Sequence, residues 1–195
     1  MTTLFIFRLH RARVNADQSA RYKAGYLRAA GLFLSNAFLC ILLFITGVAH
    51  ADSDSLVEII NPISKNELWI NPGLTSYHFD QSKDFNALNY GIGGEYRFSS
   101  VASVTAGTFR NSNYHPSTYI GAYWQPIALG PIQMGFVGGI FNGYTTTNNG
   151  GWFPAVLPAL TMEGDWVGLN LIVIPTIPNR VSGSLSIQLK LKVLD

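Results

Sequence analysis

The sequence has little charge and almost no cysteine. Only 12% of its 195 residues are charged, against about 25% in an average globular protein. A single cysteine, Cys40, excludes an internal disulfide and any metal site built from several thiolates. The two histidines beyond residue 51, His78 and His115, lack the close spacing of metal ligands. We therefore predict neither a metal nor a cofactor.

The net charge of +2 conceals an uneven distribution along the chain. Residues 1–51 contain one acidic residue, Asp17, and six basic ones: Arg8, Arg11, Arg13, Arg21, Lys23 and Arg28. The other 144 residues contain seven basic and ten acidic residues, a net charge of −3. Because the excess of basic residues is confined to the first 51 positions, we expect no binding to nucleic acid.

One long apolar run is present, at residues 29–48, and basic residues precede it. The small residues of Ala49-His50-Ala51 follow it. This order is typical of a secretory signal peptide that is cleaved before Asp52. A retained transmembrane helix is the alternative, since about 20 apolar residues span a bilayer. We predict export from a bacterial cytoplasm, with a signal peptide over 1–51, an N-terminal lead-in over 52–66 and one domain over 67–195.

Beyond the lead-in, apolar residues alternate with polar ones. The last segment is the clearest, because every second residue from Leu185 to Val193 is apolar and the residues between them are Ser, Gln or Lys. Such alternation indicates a β-strand with one apolar and one polar face. We count eight segments of this kind: 68–79, 88–98, 101–110, 118–125, 132–141, 155–162, 166–174 and 184–193.

The connections between these segments alternate in length. Those after strands one, three, five and seven have about 8, 7, 13 and 9 residues, and the others about 2, 6 and 3. Long outer loops and short periplasmic turns are typical of outer-membrane barrels. We predict an all-β, eight-stranded antiparallel up-and-down transmembrane β-barrel in the bacterial outer membrane. A soluble barrel or sandwich is the alternative.

Aromatic residues near the strand ends favour the membrane barrel. Outer-membrane barrels carry aromatic girdles at both interfaces of the bilayer. We expect the girdles to contain Trp69, Tyr77, Tyr96, Phe98, Phe109, Tyr119, Trp124, Phe141 and Trp166.

Strand direction predicts a group of polar residues at one rim. His78 ends strand one, and Asn111, Ser112 and His115 follow strand three, so all four lie at the same end of the predicted barrel. A histidine beside a serine supplies a base and a nucleophile for acyl transfer. Simple solvation of loop histidines is the alternative.

Prolines interrupt several of the predicted strands. Pro72 lies in strand one, Pro158 in strand six, and Pro175 at the outer end of strand seven. Since proline cannot donate to a ladder, neighbouring strands are expected to be incompletely paired there. In a membrane barrel such a gap allows lateral passage of a lipid chain. A plain bulge or strand end is the alternative.

From about Asn71 to Val193 the chain resembles the outer-membrane lipid A palmitoyltransferases. The segments that carry the resemblance are PGLTSYHF (72–79), RNSNYHPSTYIGAYW (110–124) and WFPAVLPAL (152–160). The resemblance implies an eight-stranded barrel that moves an acyl chain from a phospholipid to lipid A. It also implies that His78 and Ser112 are the catalytic histidine and serine, and that Pro175 borders a lateral gap.

Two positions depart from the pattern of that family. Asn111 stands where the family has an acidic residue before the serine, and it cannot hold a negative charge beside an imidazolium. Tyr123 stands where the family has a small glycine at the floor of its acyl pocket. Together with Tyr119 and Gly121, at the same strand parity, Tyr123 is expected to face the lumen and to shorten the pocket.

These observations predict a monomeric barrel that transfers an acyl chain from phospholipid to lipid A, or binds such lipids. In the enzyme, His78 is base or acid, Ser112 is nucleophile or polariser, and Asn111 is an orienting group. A non-catalytic structural or lipid-binding outer-membrane barrel is the first alternative, and a soluble exported lipid-binding barrel is the second.

Overall fold

A computed structural model of the chain describes residues 57–177 and 181–195. The predicted signal peptide over 1–51 therefore lies outside the described residues. The structure contains nine strands: β1 (Val57–Ile59), β2 (Ser64–His78), β3 (Leu88–Ser99), β4 (Ala102–Arg110), β5 (Pro116–Leu129), β6 (Ile132–Phe141), β7 (Phe153–Glu163), β8 (Val167–Ile174) and β9 (Ser184–Leu194). In the part of the chain that the structure describes, no helix is both long and apolar enough to cross a bilayer.

Strands β2 to β9 form a closed antiparallel barrel. Each pairs with the next along the chain, and β9 pairs with β2. The prediction of an eight-stranded, up-and-down antiparallel barrel is thus confirmed. β2 begins at Ser64 and β5 reaches Leu129, a few residues beyond the predicted bounds. β1, within the predicted lead-in, pairs with the last residues of β5.

The two ends of the barrel differ in their connections. One end, here named the long-loop end, carries residues 79–87, 111–115, 142–152 and 175–183. The other, the short-turn end, carries residues 100–101, 130–131 and 164–166. The fourth connection, predicted to have about six residues, is a two-residue turn because β5 continues to Leu129.

On β3 and β9 the barrel wall is polar inside and apolar outside. On β9, Ser184, Ser186, Gln188 and Lys190 are buried in the lumen, whereas the outward residues between them are leucine or isoleucine. The outward residues of β3 include Tyr90, Ile92, Tyr96 and Phe98, and all four are exposed. A soluble barrel has the opposite distribution, because its lumen is its hydrophobic core.

Four of the expected girdle residues face inward instead. Trp69, Phe109 and Tyr119 are buried in the lumen, and Phe141 lines the lumen cavity described below. The expectation was wrong for these residues because alternation, and not nearness to a strand end, decides which face a side chain occupies. Exposed outward aromatics do occur near both ends: Tyr77, Phe79 and Tyr90 toward the long loops, and Tyr96, Phe98, Trp124 and Trp166 toward the short turns.

The short-turn half of the lumen is filled by buried charges. Lys190 Nζ lies 2.8 Å from Glu95 Oε2 and 2.6 Å from Glu163 Oε1. Arg97 donates to Glu163 from Nε at 3.0 Å, and its other nitrogens reach Glu95 and Gln133. Two cations thus neutralise two carboxylates, which is the condition for burying charge without a large desolvation cost. We call Glu95, Arg97, Glu163 and Lys190 the ionic cluster.

Candidate functional site

The long-loop half of the lumen is a cavity of about 1160 Å³. Its lining from β2, β3 and β9 is mostly polar and includes Ser76, Asn89, Ser186 and Gln188. Its lining from β6 to β8 is apolar: Val137, Phe141, Phe153, Leu157, Ile172 and Ile174. Its size is slightly above the range of about 300–1000 Å³ that is typical of ligand pockets. The cavity can therefore hold a molecule with an extended apolar part and some polar atoms.

His78 and Ser112 meet at the mouth of this cavity. His78 is the last residue of β2, and Ser112 belongs to the 111–115 loop. His78 Nε2 and Ser112 Oγ are 2.9 Å apart, within hydrogen-bond distance. The imidazole ring stacks on Phe85 with ring centroids 4.4 Å apart, which fixes the plane of the ring. The structure thus brings together the histidine and serine that were identified from the sequence.

A break in the alternation of β2 aims His78 into the lumen. Glu67, Trp69 and Asn71 face inward, but beyond the break the inward residues are the even-numbered Ser76 and His78. The break occurs at Pro72-Gly73, where the register with β3 shifts. Gly73 has φ 101°, and a Cβ there would lie 2.3 Å from the carbonyl oxygen of Asn89. This bulge therefore requires glycine.

The side chain of Asn111 holds its own loop together. Asn111 Oδ1 accepts from the backbone N–H of Asn113 at 2.9 Å and of His115 at 3.1 Å. Asn111 Nδ2 donates to the carbonyl oxygen of Gly143 in the neighbouring loop at 2.8 Å. These bonds position the loop that carries Ser112, and none of them reaches His78.

Asp80 and His115 also belong to this rim, and both lie apart from the His78–Ser112 pair. Asp80 Oδ1 accepts from the hydroxyl of Ser82 at 2.6 Å and from its backbone N–H at 3.0 Å. These bonds, with the nearby Lys83, lower the pKa of Asp80, which therefore stays ionised within its own turn. His115 is exposed and contributes its backbone N–H to Asn111. Within the described ranges, no carboxylate hydrogen-bonds to His78.

Tyr119, Gly121 and Tyr123 all line the cavity from β5. Tyr123 lies deepest of the three and is 3% exposed, and its hydroxyl accepts from Asn170 Nδ2 at 3.4 Å. Asn170 also donates to Glu95, so the Tyr123 ring separates the cavity from the ionic cluster. The Tyr119 hydroxyl is buried and has no hydrogen-bond partner in the described part of the chain.

The ladder between β7 and β8 ends early beside the cavity, which leaves an opening in the hydrogen bonding of the barrel wall. Their ladder runs from Glu163↔Gly168 to Ala159↔Ile172 and ends there. Residues 153–158 of β7 continue to pair with β6, but they have no partner on β8 among the described residues. Pro158 lies at the point of separation, and Pro175 follows the end of β8. Leu157, Ile174 and Pro175 line the cavity at this opening.

A second interruption surrounds Pro72, between β2 and β9. Their pairing stops at Ile70↔Leu191 and resumes at Thr75↔Ile187, with one more residue on β2 than on β9 between those pairs. This is the count of a β-bulge, and Pro72 points outward within it.

Sequence reasoning did not single out Asn89, Gln188 or the ionic cluster. The polar face of the last strand was visible as alternation, but the sequence does not state whether that face is inside or outside. Scans of the sequence against protein-family models and against curated proteins find no match.

Proposed function

We propose that this protein is an outer-membrane barrel that takes up a lipid acyl chain and transfers it from a phospholipid to lipid A. The distribution of polarity supports the membrane location. The described strands expose apolar residues outward and enclose the charges of β3, β7 and β9. An apolar band around a polar lumen is the arrangement that a bilayer requires of a barrel.

The opening between β7 and β8 supports lateral entry of a lipid. A phospholipid in the bilayer reaches the cavity only through the wall, because its headgroup stays at the interface. Residues 153–158 of β7 and 173–174 of β8 do not pair with each other and leave such a path, and apolar side chains of both strands line it. An acyl chain that enters there lies in the cavity, with its ester near the long-loop rim.

The single observation that carries catalysis is the 2.9 Å contact between His78 Nε2 and Ser112 Oγ. His78 takes the proton of Ser112 while the serine oxygen bonds to the ester carbonyl carbon. The ester C–O bond breaks, and the departing lysophospholipid oxygen receives that proton from His78. A lipid A hydroxyl then attacks the acyl-serine and gives its proton to His78. As the bond between the acyl carbon and Ser112 Oγ breaks, His78 returns that proton to the serine oxygen. Transfer by this route requires no cofactor.

Mass spectrometry of lipid A, from bacterial cells with and without the protein, tests this proposal. We expect a mass increase of one acyl chain with the native protein and none with Ser112→Ala. Ser82→Ala is the matched control, because Ser82 lies in another rim loop and bonds only Asp80. Sedimentation with outer membranes and heat-modifiable gel mobility must show that each variant is inserted and folded. An unchanged spectrum with folded native protein overturns the transferase.

One observation favours a non-catalytic lipid-binding barrel as the second candidate. A catalytic histidine is normally oriented by a third group, commonly a carboxylate. In the described residues the His78 imidazole has only the Ser112 hydroxyl and the Phe85 ring as partners. Co-purified phospholipid combined with unmodified lipid A is the result expected for this candidate.

A further inference from the structure

Two hydrogen-bond donors at the floor of the cavity have no acceptor in the described structure. Gln188 is 4% exposed and lines the cavity. Its Oε1 accepts from Asn170, but its Nε2 donates to nothing among residues 57–177 and 181–195. The Tyr123 hydroxyl accepts from the same Asn170 amide, and its own proton likewise has no acceptor there.

These two donors are close together and lie at a defined depth. Asn170 Nδ2 reaches Gln188 Oε1 at 3.1 Å and Tyr123 Oη at 3.4 Å, so both side chains surround one nitrogen atom. Ser184 pairs with His78 at the rim, and Gln188 is four residues further along β9. Four residues of strand span about 13 Å. A chain whose ester lies at Ser112 therefore reaches them with its far end.

Neighbouring polar groups of the cavity wall bond to one another. Ser76 donates to Asn89 Oδ1 at 2.8 Å, and the hydroxyls of Ser76 and Ser186 are 2.8 Å apart. Thr105 donates to the carbonyl oxygen of Gly94.

Single hydroxyls without a partner among the described residues also line the cavity nearer the rim, at Tyr119 and Ser182. At the floor, however, two free donors lie side by side, and an apolar chain end would leave both buried without a partner. A polar floor is the wrong environment for a terminal methyl group.

We infer that the cavity selects an acyl chain that carries an oxygen atom, as a hydroxyl or a ketone, at or near its distal end. That oxygen accepts from Gln188 Nε2 and from the Tyr123 hydroxyl. The apolar wall from β6 to β8 contacts the methylene groups above it. This inference rests on the proposed function, since it names the substrate class of the same cavity.

Calorimetric titration of the purified full-length mature protein in lipid nanodiscs tests the inference, with empty nanodiscs as the blank. The probes are dodecanoic acid and its ω-hydroxy derivative, which differ only at the distal end. We expect the ω-hydroxy acid to bind about tenfold more tightly, the effect of one net hydrogen bond. Tyr123→Phe should reduce that preference, and Gln188→Leu should abolish it or favour dodecanoic acid.

Each outcome has a separate meaning. Equal binding of the two acids by the native protein overturns the inference and leaves the proposed lipid uptake intact. A preference that survives in both variants also overturns it, because the oxygen is then recognised elsewhere. Failure of the folded native protein to bind either acid contradicts the proposed function itself. Tyr123→Phe keeps the ring volume and the ring's floor position, so it remains informative if Gln188→Leu fails to fold.

Discussion

At the scale of single residues, the position of Asn111 beside Ser112 in the sequence suggests that it orients His78, but its contacts in the structure are with its own loop and the next one. It precedes Ser112, yet the three hydrogen bonds of its side chain go to the backbones of Asn113, His115 and Gly143. The site's histidine is oriented by the Phe85 ring and by Ser112 instead. The loop bonds of Asn111 explain why an asparagine is useful there, because it donates and accepts at once.

Asn111→Asp therefore should not create a catalytic triad. The new carboxylate still accepts from the backbone N–H groups of Asn113 and His115. It cannot donate to the carbonyl oxygen of Gly143, which then faces a negative charge. We expect the free energy of unfolding to fall by about 1–3 kcal/mol, as for a buried acceptor without its donor. Urea titration in detergent micelles measures this, with Asn113→Asp as the partly exposed control. A gain in lipid A acylation would contradict our interpretation.

At the scale of elements, the unpaired stretch of β7 and β8 separates the barrel wall into a closed and an open part. Below Ala159↔Ile172 the ladder is regular, and above it, from Pro158 onward, β7 and β8 are not paired. If the register continued, Leu157 would lie opposite Ile174. Both residues line the cavity, so a covalent link between their side chains would close the proposed lipid path.

A disulfide between Leu157→Cys and Ile174→Cys should therefore block lipid entry. Cys40 belongs to the predicted signal peptide, so the mature chain contributes no competing thiol. We expect acylation of lipid A to fall to the level of Ser112→Ala under oxidising conditions and to recover with reductant. Leu160→Cys with Leu171→Cys is the control, because these residues pair in the closed part of the ladder, at a distance that suits a disulfide. Equal loss in both pairs would contradict lateral entry.

At the scale of the whole molecule, the lumen is divided into a cavity and an ionic cluster. The cluster joins β3, β7 and β9 across the barrel through Glu95, Glu163 and Lys190. Contacts between strands so distant in sequence make the barrel one cooperative unit. The cluster also supports the Tyr123 floor through Asn170, which donates to Glu95.

Lys190→Met should strongly destabilise the barrel, because it leaves Glu95 and Glu163 buried without one of their two cations. We expect a loss of about 3–5 kcal/mol in the free energy of unfolding, typical of breaking a buried ion pair. Lys65→Met is the matched control, since its side chain is 37% exposed at the short-turn end, where an ion pair contributes about 0–1 kcal/mol. Denaturant titration followed by heat-modifiable gel mobility measures both. Equal losses would show that the cluster is not the main support of the lumen.

The sequence by itself determined the strands and their order around the barrel. Alternation of polar and apolar residues has a period of two only in a strand, so Leu185 to Val193 admitted no helix. The alternation of long and short connections then predicted antiparallel neighbours, and strand direction brought His78 and Ser112 to one rim. Local pattern was sufficient for these conclusions, because the alternation within a strand and the length of each connection depend on residues close together in the chain.

Only the tertiary structure decided which face of each strand is enclosed and which side chains meet. Trp69, expected outside, is inside, and His78 faces the lumen only because the bulge at Pro72-Gly73 exchanges the two faces of β2. A shift of one residue reverses every later side chain in a strand. The sequence contains the proline and glycine, but the close approach of Asn89 that makes the bulge necessary arises from strand pairing. The ionic cluster, the cavity floor and the β7–β8 opening have the same origin, in contacts between residues far apart along the chain.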